Sequence, residues 1–184
     1  MIGLKRGEVA LCQHCPEWEN IAQETINNLK EVFGSNALDI QHIGSTAIPS
    51  IKAKPIIDIA VGIRNFDDIN ESLSILDSNK IYKQSHNRFS GDLLYVINDQ
   101  DGKRTHQIHI LIYESPQWWN YVAFRDYMNA FPQKAKEYEK LKVKLARKYP
   151  NSQTKYTDGK QQYMKDLLVE AISYVRCNKV CPLD

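Results

Sequence analysis

Residues 55–63, PIIDIAVGI, place one aspartate inside a run of mostly β-branched residues. Isoleucine and valine suit a pleated, covered surface, so this run predicts a buried β-strand. An isolated buried carboxylate is very unfavourable, and Asp58 must therefore be hydrated, paired with a cation or bound to a metal ion. We expect the fold to be built around this strand, with a polar site at Asp58.

Hydrophobic spacing predicts the other elements. Helical spacing is found over residues 17–33, 67–76, 117–130, 132–148 and 159–177. Strand patterns are found over residues 37–43, 92–97 and 104–113, and the turn-rich segment 99–102 joins the last two as a hairpin. The order of these elements predicts an α+β fold with a helical C-terminal part.

The length of 184 residues indicates one domain over residues 1–184, and the order of the predicted elements gives it a sheet-containing part over about 1–114 and a helical cap over about 115–178. Composition is that of an ordinary globular protein. The hydrophobic content is 42% and the charged content is 25%. The net charge of +2 argues against nucleic acid as a partner and requires any cationic site to be local. No apolar run reaches the ~20 residues of a membrane span, and the first residues lack a secretory signal. We therefore expect a cytoplasmic protein without a membrane partner.

The four cysteines lie near the two ends of the chain, at Cys12, Cys15, Cys177 and Cys181. Four thiolates are able to bind zinc. A single CxxC facing a CxxxC is a weak zinc signal, however, and we expect four separate free thiols rather than a metal site.

A turn sequence, Gly44-Ser45-Thr46, follows the predicted strand 37–43. Glycine allows the backbone to approach a ligand closely, and exposed N–H groups together with two hydroxyls can hold a phosphate. The same residues are also common in ordinary turns. Because the next predicted strand carries Asp58, we expect the turn and this carboxylate to lie side by side.

Several motifs resemble those of the GrpB family, also called UPF0157. They are His42–Pro49, Ala53–Ile59, His106–His109, Phe124–Met128, Tyr138–Lys142, and Tyr156 and Thr157 with Lys160. The resemblance extends over about residues 9–175. That family is similar to the nucleotidyltransferase superfamily, which includes DNA polymerase β and the aminoglycoside nucleotidyltransferases. The resemblance implies a nucleotidyltransferase-like mixed sheet flanked by helices.

The superfamily pattern implies roles for some of these residues. Gly44 and Ser45 match the turn that binds a nucleotide triphosphate, and Asp58 matches the first metal-binding carboxylate, which implies Mg²⁺ or Mn²⁺. The second carboxylate position is Ala60, which departs from the pattern, and the third falls near His109. With one aspartate, the site holds either one metal weakly, completed by phosphate oxygens and water, or no metal. Histidine favours first-row transition ions over Mg²⁺.

The remaining candidates are assigned to phosphate or substrate binding: His42, Thr46, Lys54, Arg125, Lys142 and Lys160. The carboxylate and the histidines among the candidates also have a purely structural interpretation. Asp58 is able to form an ion pair with Lys54 or Arg125, and His42 and His109 are able to serve as half-buried structural histidines.

Three functions are consistent with these residues. The leading hypothesis is a nucleotidyltransferase-like protein that binds a nucleotide or another phosphorylated small molecule, with nucleotidyl transfer as its catalytic form. In that role Asp58 and His109 are the catalytic candidates. The alternatives are a non-catalytic ligand-binding module with a degenerate site, which Ala60 favours, and a metal-dependent hydrolase that uses Asp58 with a histidine.

Overall fold

Five strands form one mixed sheet in the part of the chain that the structure, a computed structural model, describes (residues 2–79, 82–85 and 92–180). They are β1 (Ala37–Ile43), β2 (Ile57–Ile63), β3 (Tyr82–Ser85), β4 (Leu93–Asn98) and β5 (Arg104–Ile112). Their order across the sheet is β1-β2-β5-β4-β3. β2 and β5 are parallel, and the other neighbours are antiparallel. The strand that carries Asp58 is therefore paired on both sides.

Helices cover both faces of the sheet and form the C-terminal part. They are α1 (Glu17–Phe33), α2 (Asn70–Ser78), α3 (Pro116–Ala130), α4 (Pro132–Lys148), α5 (Gln153–Asp158) and α6 (Gln161–Val180). Short 3₁₀ turns occur at Gly34–Asn36, Ser45–Ala47 and Asp67–Ile69. Helix α3 begins after Ser115, whose hydroxyl accepts a hydrogen bond from the Trp118 N–H, as expected for an N-cap residue.

The two faces of β2 meet different neighbours, because successive side chains point to opposite sides of a sheet. Ile57, Ile59, Val61 and Ile63 join the core cluster formed with α1 and α2. Ala60 lies on the other face, in a smaller cluster with residues of β1, β5 and α3: Ile43, Leu111, Trp118 and Val122. Burial on both faces explains the almost continuous hydrophobic run of this strand.

The C-terminal helices form a core of their own. Residues of α3, α4 and α6 pack together there, among them Phe124, Met128, Tyr138, Leu167 and Ala171. Among the described helices, none combines the length and the apolar composition that crossing a membrane requires.

The predicted α+β class is confirmed, with a mixed sheet flanked by helices and a helical C-terminal part. Two elements were not predicted. β3 has the polar sequence YKQS and lies at the sheet edge, where it needs no hydrophobic alternation. α5 has six residues, too few for a recognisable helical period. The single-domain boundary at residues 1–184 stays a prediction.

The cysteines that the structure describes are free thiols. Cys12 pairs through its backbone with Ala53, and the Cys15 thiol lies near Glu17. Cys177 lies on α6, and Cys181 falls outside the described residues. The expectation of four separate thiols stays a prediction.

Candidate functional site

The turn after β1 lies directly against Asp58. The antiparallel register pairs Ile43 with Asp58, so the chain leaves β1 beside this carboxylate. Gly44 has φ 72° and ψ −169°, a conformation that is essentially restricted to glycine. A Cβ atom at Gly44 would lie 3.0 Å from both Cβ and Cγ of Asp58 and would clash with its carboxylate oxygen. Glycine is therefore required here for both conformation and space.

Two residues of β5 hold the Asp58 carboxylate. In the parallel register Asp58 lies beside Gln107, whose Nε2 donates a 2.7 Å hydrogen bond to Asp58 Oδ1. His109 Nε2 lies 3.9 Å from the same oxygen. Burial by itself would raise the pKa of Asp58, but hydrogen bonding and charge from His109, with help from Gln107 and Lys54, outweigh it and lower the pKa. Asp58 is therefore an ionised carboxylate.

His109 lies between two carboxylates. Its Nδ1 is 2.6 Å from Asp92 Oδ2, and the Tyr121 hydroxyl donates to the same carboxylate oxygen at 3.3 Å. Burial opposes protonation of His109, but its interactions with Asp58 and Asp92 prevail and raise its pKa to about 9. His109 is therefore an imidazolium cation at neutral pH.

Three lysines line the same cleft as Asp58 and lie close enough to repel one another. Lys54 and Lys160 have Nζ 5.7 Å and 4.6 Å from the centre of the Tyr156 ring. Lys142 is buried, and its Nζ donates a 2.6 Å hydrogen bond to the Lys52 carbonyl. Burial lowers the pKa of all three lysines, to about 8 for Lys54 and Lys160 and about 7 for Lys142, and the charge of Lys160 adds to this effect at the other two.

These groups line one cleft of about 690 Å³. Its floor contains Asp58, Gln107 and His109, and its walls contain the Gly44–Thr46 turn and the segment 151–158. Arginine and lysine side chains dominate the charge of the described lining, since it holds Arg6, Lys54, Arg104, Lys142 and Lys160 but only two carboxylates, Asp58 and Asp158. The cleft therefore has the electrostatics of an anion-binding site.

Most of the predicted site residues meet in this cleft: Gly44, Ser45, Thr46, Lys54, Asp58, His109, Lys142 and Lys160. Two do not line it. His42 lies on the opposite face of the sheet, where its ring contacts Glu19 and the Thr46 hydroxyl. Arg125 donates to the His42 carbonyl and pairs with Asp126. The geometry thus gives both residues structural contacts beside the turn rather than a place among the lining residues.

Sequence reasoning missed the partners of the predicted residues. Gln107 could have been predicted as a site residue from the sequence, because alternation along β5 places it on the same face as His109. Asp92 and Tyr121 carried no such signal, since their contact with His109 depends on the pairing of β4 with β5 and on the packing of α3. Arg6 and Arg104 line the cleft although nothing in their local sequence distinguishes them from surface charges.

The residues around Asp58 do not fit a resident magnesium ion. Mg²⁺ requires octahedral oxygen ligation, whereas Asp58 Oδ1 already accepts from Gln107 and faces the His109 cation. Ala60, the second carboxylate position of the superfamily pattern, is fully buried among apolar side chains. Within the described ranges, no group of three histidine, cysteine or acidic side chains is arranged to hold a metal ion.

We predict that Ala60→Asp destabilises the protein instead of creating a metal site. Ala60 is 0% exposed and packs against Trp118 and Leu111, and the neighbouring His109 already faces Asp58 and Asp92, so a carboxylate would be buried without a partner of its own. The expected loss is about 2–3 kcal/mol in the free energy of unfolding, measured by urea denaturation. Addition of Mg²⁺ or Mn²⁺ should not restore the lost stability. Recovery of stability with metal would contradict the conclusion that this site does not fit a metal ion.

The comparisons with known proteins agree with the motifs. The sequence model of the family described as GrpB protein matches residues 8–170 of this chain. The chain is 38% identical over 174 residues to the glutamate-rich protein GrpB of Alkalihalophilus pseudofirmus, covering 92% of this chain and 99% of that protein. It is 33% identical over 158 residues to the UPF0157 protein YqkA of Bacillus subtilis, covering 86% of this chain and 46% of that relative's length.

A solved structure has a similar fold. The crystal structure of the conserved protein GrpB from Enterococcus faecalis superposes with a TM-score of 0.80 at 29% sequence identity, covering 90% of this chain and 99% of that chain. Because the family match extends over most of the chain and a relative of 38% identity is covered almost completely, this chain belongs to the GrpB family.

Proposed function

We propose that this protein binds the phosphate groups of a nucleotide or another phosphorylated small molecule in the cleft between the sheet and the C-terminal helices. The observation that carries the proposal is the group of three lysines, Lys54, Lys142 and Lys160, that line the same cleft as the Gly44–Thr46 turn. Their mutual repulsion and burial are unfavourable in the free protein, and a bound polyanion would relieve both. We expect this binding to take place in the cytoplasm.

The chemistry of the lining suits phosphate in particular. Lysine and arginine form charge-assisted hydrogen bonds with phosphate oxygens, and hydroxyl and backbone N–H groups add neutral donors. The Ser45 hydroxyl lies in the turn beside Asp58, whereas the Thr46 hydroxyl is already bound to His42 and the Ile56 carbonyl. Lys54 and Lys160 lie beside Tyr156. An apolar ligand would leave these charges unpaired in a partly buried site.

Calorimetric titration of ATP and of pyrophosphate, with and without Mg²⁺, tests this function. We expect saturable binding that weakens as salt is added. Lys160→Gln should weaken it roughly tenfold, because it removes a charge-assisted contact. The matched control is Lys140→Gln, an exposed lysine on α4 outside this cleft, which should leave the affinity unchanged. Equal affinities for wild type and Lys160→Gln would exclude the cleft as the phosphate site.

Binding should also depend on pH. The pKa values of about 7 to 8 for the three lysines mean that the free protein loses charge in the cleft just above neutrality. A bound phosphate favours the ammonium forms, so binding takes up protons and affinity falls as pH rises through about 8. Titrations in buffers of different ionisation enthalpy measure this uptake. A constant affinity between pH 7 and 9.5 would contradict it.

Nucleotidyl transfer is a second candidate function, favoured by the position of the Gly44-Ser45 turn directly against Asp58. Release of pyrophosphate from nucleoside triphosphates, lost in Asp58→Asn, would support it. Binding without release would leave the ligand-binding module as the function.

A further inference from the structure

Positive charge is already present in the cleft where the family resemblance places a divalent cation. We propose that the cleft binds its phosphorylated ligand without a metal ion, because Lys54 and Lys160 supply the positive charge that a metal would provide. This inference rests on the proposed function and concerns the way in which that site holds phosphate.

The surroundings of Asp58 provide the first argument. Its Oδ1 accepts a 2.7 Å hydrogen bond from Gln107 and lies 3.9 Å from His109 Nε2. The other ring nitrogen of His109 lies 2.6 Å from Asp92, so this ring is held in place beside Asp58. A divalent cation at Asp58 Oδ1 would therefore have to displace the Gln107 donor and lie against the His109 ring.

The second argument is the missing ligand at Ala60. Ala60 lies in register beside His109 on the same face of the sheet and is covered by Trp118 and Val122. It provides no oxygen, and its surroundings exclude water. The oxygen shell of a metal would therefore depend on one carboxylate and on the ligand itself.

The third argument is that the lysines are available. In the described part of the chain, none of Lys54, Lys142 and Lys160 forms an ion pair with a carboxylate. Lys142 is anchored to the Lys52 carbonyl, whereas Lys54 and Lys160 contact the Tyr156 ring and border the open cleft. Phosphate oxygens are therefore the natural partners of these two ammonium groups.

The test is calorimetric titration of ATP and pyrophosphate into the full chain, once with excess Mg²⁺ and once with EDTA. We expect binding in EDTA to be at least as tight as with Mg²⁺, and Mn²⁺ alone to show no saturable binding. Binding that appears only with the metal would overturn the metal-free inference while leaving the proposed function intact. Absence of binding in both buffers would overturn the proposed function, and the inference with it.

The Asp58→Asn variant further separates metal-free binding from metal-dependent binding of the ligand. It keeps the side-chain shape and an oxygen for Gln107, but it removes a negative charge from the phosphate site. We expect pyrophosphate affinity in EDTA to rise roughly three- to tenfold, because a like charge near the ligand is removed. Asp101→Asn, in the exposed hairpin turn, is the matched control and should change nothing. Loss, in a folded Asp58→Asn variant, of binding that wild type shows only with Mg²⁺ would instead identify Asp58 as a metal anchor.

Discussion

Substitution of Gly44 by alanine is expected to lower the free energy of unfolding by about 3 kcal/mol and to abolish ligand binding. Two effects combine at this position. The φ of 72° with ψ −169° is strained for any residue with a side chain, and the added Cβ would clash with the Asp58 carboxylate. Denaturation with urea measures the loss of stability, and titration with pyrophosphate measures the loss of binding.

Gly102→Ala is the control for the positive φ. Gly102 has a similar φ of 75°, but a Cβ there would meet nothing within 4 Å. It should therefore show only the cost of the unfavourable conformation, about 1–2 kcal/mol, with ligand binding unchanged. If Gly44→Ala and Gly102→Ala were equally destabilising, the close packing of the turn on Asp58 would not contribute to stability.

Replacement of His109 by glutamine should be the most destabilising change in the cleft, with a loss of about 3–5 kcal/mol at neutral pH. Asp92 is then left buried without the imidazolium, and Asp58 loses the ring nitrogen that lies 3.9 Å from its Oδ1. The folded-state pKa of about 9 lies above the usual histidine value of about 6.5. The stability that this group contributes is therefore complete below about pH 6.5 and is lost as pH rises through about 9.

Because the cleft lysines have lowered pKa values, they change stability with pH in the opposite direction above pH 7. The informative quantity is therefore the difference between wild type and His109→Gln, measured by urea denaturation from pH 6 to 10. We expect this difference to shrink steadily towards pH 10. A difference independent of pH would show that His109 is neutral in the folded protein.

His106→Gln is the matched control on the same strand. His106 is also buried, but it lies on the opposite face, where Thr25 and Thr105 are its partners and where burial lowers its pKa to about 4. It is neutral above pH 6.5, so its replacement should cost only about 1 kcal/mol for a lost hydrogen bond. The cost should not change between pH 6.5 and 10.

Local sequence determined the secondary structure of this protein to a large extent. Hydrophobic periodicity predicted α1 at residues 17–33 and β1 at residues 37–43 with the bounds that the structure shows. It also predicted the buried strand around Asp58, because a strand covered on both faces needs apolar side chains at nearly every position. The turn at Gly44 was predicted next to Asp58, and the antiparallel pairing of β1 with β2 brings them together.

The electrostatics of the cleft were decided only by the tertiary structure. The charge of His109 depends on Asp92, which reaches it because β4 pairs with β5. The three lysines come from a loop, from α4 and from the segment before α6, and they meet because the C-terminal helices pack beside the sheet. A pKa depends on burial and on charges nearby in space, and residues distant along the chain supply both. The sequence therefore identifies most of the groups in the cleft, whereas the fold sets their protonation states and the fit to a metal ion.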